Sequence, residues 1–301
     1  MTVHLGILDW GIGGIDFYAR LRAAYPGVPV TYWSDAGTTP YGKQPLAVLA
    51  ARVEAVALAL RERGVTHLVV ACNAASTVLD DPRLRALERA GLPISGVIEP
   101  AISAALVDPA RSFGVVGGRR TIASMAYRRG LALAGRTVIQ RVAQPLSALV
   151  ERGELDGPEV RAEVARIFAP LLRVDAVILA CTHYTALLPP IRAALPAARF
   201  IDPTAATLEF VARQWHLDRT LAPETRVRGR GRTLVINPHG GLSPPLLART
   251  SPAPSDMFLT TGDPQAMQRA AHLAFGVALA DVKTVPVDER PLPRAPQAVR
   301  D

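Results

Sequence analysis

Two cysteines, the only two among 301 residues, stand at the ends of two apolar runs of similar composition. Cys72 ends the run over residues 69–71, and Cys181 ends the run over residues 178–180. A short aliphatic run that stops at a polar residue is typical of a buried parallel strand. Because open α/β sheets bind ligands at the carboxyl ends of their strands, we predict that the two thiols face one shared cleft.

Two opposed thiols can invert a tetrahedral carbon that carries an acidic proton. One, as thiolate, removes the proton from one face, and the other, as thiol, delivers a proton to the opposite face. A helix N-terminus lowers the pKa of a cysteine below its free value of about 8.5. Since Cys72 and Cys181 both precede predicted helices, we expect surroundings that favour the thiolate. One disulfide between the two is the alternative that the residues leave open.

Strand and helix patterns alternate along the chain, which predicts an α/β fold of two doubly wound parallel sheets, related as two similar halves. Besides the two cysteine runs, strands are predicted over residues 4–8, 28–33, 93–98, 112–116, 138–142, 199–202 and, at a sheet edge, 282–287. A first helix is predicted after residue 14 and ends at residue 22. Further helices are predicted near residue 121 and over residues 44–63, 83–90, 159–173, 186–194, 207–216 and 264–275.

Two stretches interrupt this alternation. Glu99 precedes a proline, which holds it extended, so we expect the chain to cross between the halves there. Residues 219–256 are rich in proline and carry alternating arginines, which predicts an irregular connector with one strand over 233–236, or alternatively a basic phosphate-binding loop. The proline-rich tail over residues 288–301 is expected to be disordered.

The composition limits the classes of partner. Lysine and arginine outnumber aspartate and glutamate by 34 to 26, but the arginines alternate with acids along helical segments, which is typical of solvated helix faces. A nucleic-acid groove would interleave basic and aromatic residues, so we expect no nucleic-acid partner. No apolar run reaches the length of a membrane span and no secretory leader is recognised. We therefore expect a cytoplasmic protein with reduced thiols and no membrane partner.

A glycine-rich loop over residues 9–14 follows the first predicted strand. Its three glycines would let the backbone approach a small anionic ligand, and the next helix would present free N–H groups to that ligand. The dinucleotide fingerprint does not fit, because its third glycine would fall at Asp16. A simple tight turn is the alternative.

Six sequence blocks occur in an order that resembles the glutamate racemases, over about residues 3–287. The blocks lie at residues 9–14, 35–42, 72–76, 96–100, 181–184 and 260–264. The two cysteine blocks are shared with the wider aspartate/glutamate racemase superfamily, whereas Thr-Thr-Gly-Asp-Pro at 260–264 resembles the glutamate branch.

The resemblance implies two α/β domains with the active site between them. Residues 1–98 and 207–287 would form the first domain, including the connector, and residues 99–206 the second. It also implies a cofactor-independent isomerase that supplies D-glutamate for peptidoglycan, with a small amino acid as substrate and a homodimer as a possible assembly. The residues agree with the absence of a cofactor, since they contain no Cys-x-x-Cys pair and only two lysines, Lys43 and Lys283.

The resemblance also assigns roles by matched position. Cys72 and Cys181 would be the proton-transfer pair, assisted by Asp9, His183 and Glu151. The substrate-binding set would be Asp9, Trp10, Pro40, Tyr41, Gly42, Asn73, Ala74, Thr182 and His183. For two of these the residues leave an alternative open: His183 as a histidine satisfied in the core, and Asp9 as a cap of the following helix.

This chain departs from the family's motifs at two positions. Trp10 stands where the family has serine, and Ala74 where it has threonine. Each lost donor to a charged group costs about 1–3 kcal/mol. Three hypotheses follow: a glutamate racemase with a rearranged carboxylate site, a two-thiol racemase for a less polar substrate, or a catalytically impaired binding protein that contacts an acidic partner through its basic connector.

Overall fold

Ten strands form two parallel sheets in the part of the chain that the computed structural model describes, residues 3–217, 253 and 255–287. The strands are β1 (Leu5–Asp9), β2 (Val30–Ser34), β3 (His67–Val70), β4 (Ile94–Gly96), β5 (Ser112–Gly117), β6 (Thr137–Val142), β7 (Ala176–Ala180), β8 (Arg199–Ile201), β9 (Met257–Thr260) and β10 (Val282–Thr284).

Helices connect and cover these strands. They are α1 (Ile15–Ala24), α2 (Leu46–Glu62), α3 (Asn73–Ser76), α4 (Pro82–Arg89), α5 (Ile98–Val107), α6 (Arg119–Ala123), α7 (Ala126–Ala132), α8 (Gln144–Glu151), α9 (Pro158–Phe168), α10 (Leu188–Ala194), α11 (Pro203–Gln214) and α12 (Pro264–Phe275). Short 3₁₀ turns cover Tyr41–Lys43, Ala169–Leu171 and Thr182–Leu187. No helix in the described ranges is both long and apolar enough to cross a membrane.

The larger sheet has the strand order β10-β9-β2-β1-β3-β4, and the smaller sheet has the order β6-β5-β7-β8. All neighbouring strands in both sheets are parallel. Strands β1 and β7 lie inside their sheets and are buried along their whole length, which agrees with their continuous apolar sequences. The predicted α/β class with two doubly wound parallel sheets is confirmed.

The two sheets share one apolar core. A single cluster of buried side chains contains Ile7 of β1 and Val69 of β3 from the larger sheet, together with Val177 and Leu179 of β7 from the smaller one. Packing of this kind fixes the relative position of the strand ends. The ends of β1, β3 and β7 therefore come together, and each is followed by a residue or loop of the predicted site.

The extended conformation predicted for Glu99 was wrong. Glu99 and Pro100 lie in the first turn of α5 instead of an extended crossing. A proline is tolerated there because the first N–H groups of a helix have no intrahelical partner. The helix predicted over residues 159–173 ends as α9 at Phe168 and continues as a 3₁₀ turn.

Strand β9 was not predicted. It pairs with β2 on one side and β10 on the other, so it is an interior strand of the larger sheet. The predicted edge strand near residue 282 is confirmed as β10. The strand predicted over residues 233–236, most of the 219–256 connector and the 288–301 tail lie outside the described residues.

Candidate active site

Both cysteines lie where parallel strands end. Cys72 comes two residues after β3 and directly before α3, and Cys181 comes directly after β7 and before the Thr182–Leu187 turn. Both thiols are free and half-buried, so they are not joined as the disulfide that the sequence left open. Among the charges that raise the pKa of Cys72 is that of Cys181, so the two sulfur atoms are close enough to interact electrostatically.

A chain of polar contacts extends from Cys181. Its Sγ lies 3.8 Å from Nδ1 of His183, and Nε2 of His183 lies 2.6 Å from Oε1 of Glu151. The same Glu151 oxygen accepts a hydrogen bond of 3.4 Å from the amide of Ile12, in the glycine-rich loop after β1. The three predicted residues Cys181, His183 and Glu151 are thus connected, and the loop of the larger sheet is bonded to them.

His183 and Glu151 stabilise each other's charged forms. Burial alone would lower the pKa of His183, but its hydrogen bonds to Cys181 and Glu151 outweigh burial and hold the pKa well above the usual value. Burial alone would raise the pKa of Glu151, yet the hydrogen bond to His183 leaves it lowered. At neutral pH the imidazole beside Cys181 is therefore positively charged. These contacts argue against His183 as a histidine merely satisfied within an apolar core.

The surroundings of Cys72 have the opposite sign. Asp9, which is 1% exposed, ends β1, and its Oδ2 accepts hydrogen bonds from the amides of Gly11 at 3.4 Å and Gly14 at 3.2 Å. Burial raises the pKa of Asp9, although the charge of His183 counteracts this. Burial and the neighbouring Asp9 carboxylate raise the pKa of Cys72 well above its usual value. The expectation that both thiols are favoured as thiolate was therefore wrong for Cys72, because α3 is a single turn and Asp9 lies beside the sulfur.

Asp9 also has a structural role. Gly14, which donates to Asp9, is the N-terminal cap residue of α1, so the carboxylate holds the entry to that helix. Its other oxygen, Oδ1, is buried and has no hydrogen-bond partner among the described residues. Capping therefore uses only one of the two carboxylate oxygens.

Asn73 is oriented by a residue that the sequence did not single out. Its Oδ1 accepts a 2.7 Å hydrogen bond from the hydroxyl of Tyr127, in α7, and both side chains are almost fully buried. The Asn73 Nδ2 group, in contrast, has no hydrogen-bond partner within the described ranges. The pKa of Tyr127 is raised by burial and also by the charge of Cys181. Tyr127 therefore orients the residue that directly follows Cys72.

The glycines of the loop after β1 are needed for close packing against the smaller sheet. A Cβ on Gly11 would lie 2.3 Å from Oε1 of Glu151, and a Cβ on Gly13 would lie 2.3 Å from Oγ1 of Thr182 and 2.7 Å from Nδ1 of His183. A side chain at either position would force the facing residue to move. The sequence predicted a close approach to an anionic ligand, and the structure gives these glycines a close approach to Glu151, Thr182 and His183.

Trp10 and Ala74 form an apolar side of the site. Both are half-buried and pack, together with Cys72, against the apolar cluster that contains Trp33 and Tyr41. The Trp10 indole Nε1 donates a 3.1 Å hydrogen bond to the carbonyl of Thr38. The indole N–H is therefore already used and does not replace the hydroxyl of a serine at this position.

The predicted Pro40-Tyr41-Gly42 segment forms the start of a 3₁₀ turn, closed by a 2.8 Å hydrogen bond from Lys43 N to the Pro40 carbonyl. The Tyr41 hydroxyl donates to Oδ2 of Asp35 at 2.8 Å, so it points into the protein interior. The fully buried Asp35 is paired with Arg52. Tyr41 therefore shapes the turn with its side chain and leaves only backbone groups for a ligand.

The motif at residues 260–264 is hydrogen-bonded to the loop that begins at Asp35 and leads into the Tyr41–Lys43 turn. Thr261 donates from Oγ1 to Oδ1 of Asp35 at 3.2 Å and accepts from the amide of Gly37 at 3.0 Å. A Cβ on Gly37 would lie 2.1 Å from the Thr261 carbonyl oxygen. This block therefore orders the loop that carries the Tyr41–Lys43 turn.

A cleft of about 1000 Å³ opens beside the site. Its lining includes Gly42, Ser76, Glu99, Arg120 and Arg129, and neither cysteine is part of the lining. No cluster of three or more histidine, cysteine, aspartate or glutamate side chains placed to hold a metal ion occurs in the described ranges.

Comparison with protein-family models matches residues 5–211 of this chain to Asp/Glu/Hydantoin racemase. The chain is 34% identical to the glutamate racemase of Beutenbergia cavernae over 285 residues, which cover 92% of this chain and 91% of that one. It is also 34% identical to a glutamate racemase of Thermus thermophilus over 290 residues, covering 95% and 97%.

A solved structure shows the same architecture. The crystal structure of glutamate racemase from Thermus thermophilus in complex with beta-chloro-D-alanine superposes with a TM-score of 0.76 at 29% identity, covering 95% of this chain and 98% of that one. The similarity thus extends over both sheets.

Proposed function

Because this chain belongs to the Asp/Glu/Hydantoin racemase family, we propose that it interconverts L- and D-glutamate by moving the α-proton between two cysteines. The relatives that are 34% identical over more than nine-tenths of the chain are glutamate racemases, which supports glutamate as the substrate. As a racemase the chain is an isomerase.

One observation carries the proposal. Beside Cys72, two buried polar atoms have no hydrogen-bond partner among the described residues: the acceptor Oδ1 of Asp9 and the donor Nδ2 of Asn73. A buried polar atom without a partner is costly, so such atoms mark places where a ligand completes the hydrogen bonding. An ammonium group can donate to Asp9 and a carboxylate can accept from Asn73. An amino acid carries both groups on one carbon.

The two thiols differ in their electrostatic surroundings. The carboxylate of Asp9 disfavours the thiolate of Cys72, so Cys72 is the proton donor in the resting enzyme. The charged His183, 3.8 Å from Sγ of Cys181, is placed to stabilise negative charge on that sulfur, which then acts as the base. After one turnover the two thiols have exchanged roles, and the reverse reaction restores them.

The harder step is the formation of a carbanion, because the α-proton of an amino acid is far less acidic than a thiol. Backbone donors placed around the substrate carboxylate stabilise the charge that develops there. The first N–H groups of α3 and of the 3₁₀ turns at Tyr41 and Thr182 have no partner within their own turns. These amides, with Asn73, supply donors that do not depend on the hydroxyls absent at Trp10 and Ala74.

The remaining assignments stay predictions. They are the substrate-binding roles of Pro40, Tyr41, Gly42 and Thr182, the supporting role of Glu151, the domain boundaries near residues 98 and 207, and assembly as a homodimer. Two free thiols suit a reducing compartment such as the cytoplasm, and D-glutamate is a building block for peptidoglycan.

A second candidate substrate is a less polar amino acid. The apolar side formed by Trp10 and Ala74 next to Cys72 favours it, because a carboxylate side chain gains nothing from an indole whose N–H is already bonded to Thr38. The third hypothesis, binding through the basic connector, concerns residues outside the described ranges.

The test is the formation of D-glutamate from L-glutamate by the purified protein, followed by chiral chromatography. Aspartate, alanine, methionine and phenylalanine are assayed in parallel. We expect kcat/KM to be highest for glutamate. A clear preference for methionine or phenylalanine would establish the second candidate, and no turnover of any amino acid at high enzyme concentration would reject both.

A further inference from the structure

Arg120 connects the two halves of the molecule at the edge of the site. It lies in α6, directly after β5 of the smaller sheet, and its guanidinium reaches the Tyr41–Lys43 turn, which belongs to the larger sheet's half. Nε donates to the carbonyl of Tyr41 at 2.9 Å, and Nη2 donates to the carbonyl of Gln44. One planar side chain thus holds both ends of the turn.

The charge of this guanidinium has no carboxylate partner in the described ranges. Arg120 is half-buried, and the burial lowers its pKa, with no acidic neighbour to reverse that. Partial burial of a cation that contacts only two carbonyl oxygens has a desolvation cost that no ion pair offsets. What the two hydrogen bonds provide is a fixed position for the carbonyl groups of Tyr41 and Gln44.

The turn is held from two directions. Within its own half, the Tyr41 hydroxyl donates to Asp35, which fixes the ring. From the other half, Arg120 fixes the backbone on either side of Gly42. Without Arg120, the anchor through Asp35 would remain, but the backbone at Gly42 and Gln44 would be free to rotate about it.

We propose that Arg120 is a positioning residue that holds the Tyr41–Lys43 turn against α6, so that the backbone of the turn is ordered before substrate binds. The inference rests on the proposed function in one respect: the turn is taken to bind the substrate. Arg120 itself contacts neither cysteine, and within the predicted substrate-binding set its side chain bonds only to the carbonyl of Tyr41. Its effect on catalysis passes entirely through the turn.

Ordering the turn in advance lowers the entropy that substrate binding must overcome. Loss of Arg120 should therefore raise KM more than it lowers kcat. Replacing Arg120 with alanine removes two charge-assisted hydrogen bonds, so we expect a rise in KM of roughly tenfold. Arg120→Lys, which keeps the charge but has no planar fork, should fall between Arg120→Ala and the wild type.

Hydrogen–deuterium exchange measures the turn directly and does not depend on activity. In Arg120→Ala, the amides of residues 41–44 should exchange about tenfold faster, because the turn opens more often. Arg119→Ala is the matched control: Arg119 is the preceding residue of the same helix, it is exposed, and its side chain has no partner among the described residues. That variant should match the wild type in both exchange and KM.

The outcomes separate the two proposals. Unchanged exchange at residues 41–44 in both Arg120 variants would overturn the inference, as would an equal acceleration in Arg119→Ala. Faster exchange with an unchanged KM would overturn it too, since the turn would then not serve the substrate. If the wild type racemises no amino acid, the proposed function fails, while the exchange data still decide whether Arg120 orders the turn.

Discussion

Nε2 of His183 lies 2.6 Å from Oε1 of Glu151, although 32 residues separate them in the sequence. The pairing joins the end of α8 to the turn that follows β7, and it fixes the imidazole so that Nδ1 faces Cys181. The positive charge of His183 beside Cys181 is thus stabilised by the carboxylate of Glu151 in α8.

Glu151→Gln should destabilise the protein in a pH-dependent way. The folded-state pKa of His183 is raised, so the pair's contribution is fully present below the unfolded value of about 6.5 and is lost as the pH rises through the folded pKa. The lowered pKa of Glu151 keeps its own contribution present above about 4.5. Denaturant unfolding should show a loss of about 1–3 kcal/mol near pH 6 that shrinks at alkaline pH.

The exposed carboxylate of Glu154, three residues further on, provides the control. Glu154→Gln should leave the unfolding free energy unchanged near pH 6. An equal loss at pH 6 and at high pH in Glu151→Gln would contradict the assignment of a charged His183.

Tyr127→Phe tests the orientation of Asn73. The variant keeps the ring but leaves the buried Oδ1 of Asn73 without its donor, which should cost about 1–3 kcal/mol in unfolding free energy. Because the Asn73 amide is then free to rotate, KM should also rise. Tyr18→Phe, which loses the hydrogen bond from the buried Tyr18 hydroxyl to Asp256 just before β9, is the comparison: it should lose stability without a rise in KM. Equal KM values in both variants would count against a role for Asn73 in substrate binding.

Ala74→Thr tests whether the absent hydroxyl limits activity on glutamate. Ala74 lies at the start of α3, next to Cys72, and is only half-buried, so a larger side chain has room. One hydrogen bond to the carboxylate should raise kcat/KM for glutamate by roughly tenfold. Ala74→Val has the same shape without the hydroxyl and should give no gain. A gain with valine would point to packing instead of hydrogen bonding.

Arg52→Met tests the network below the Tyr41 turn. The variant leaves the carboxylate of Asp35, which is fully buried, without its cation, and breaking a buried pair in this way costs about 3–5 kcal/mol. The melting temperature should fall strongly. Arg161→Ala removes only the exposed pair with Asp156 and should produce no measurable change. Similar melting temperatures for the two variants would contradict the role given to Asp35.

Features set by local pattern could be predicted from the sequence. The aliphatic runs before Cys72 and Cys181 form buried parallel strands in two sheets, because continuous burial of a strand leaves a continuous apolar signature. Strand β9 was missed, since its four residues follow a proline-rich stretch and its pairing with β2 joins segments far apart in the chain. Glu99 was predicted to be extended because it precedes Pro100, although the first helical turn accepts a proline.

Residues that act through long-range contacts gave no local signal. Tyr127 meets Asn73 across 54 residues, and Arg120 meets Tyr41 across 79. The sequence also could not give the sign of the environment at Cys72, because the raised pKa comes from burial and from Asp9 on a neighbouring strand. Such effects depend on how the elements pack.

The most direct test of the two-thiol account follows the α-hydrogen of L- and D-glutamate in D₂O by NMR. In the wild type, the product of each direction should carry deuterium at the α-carbon. Cys72→Ser and Cys181→Ser should each lose racemisation by about a hundredfold to ten-thousandfold. Product that retains its α-proton, or racemisation that persists in the Cys72→Ser/Cys181→Ser double variant, would contradict the account.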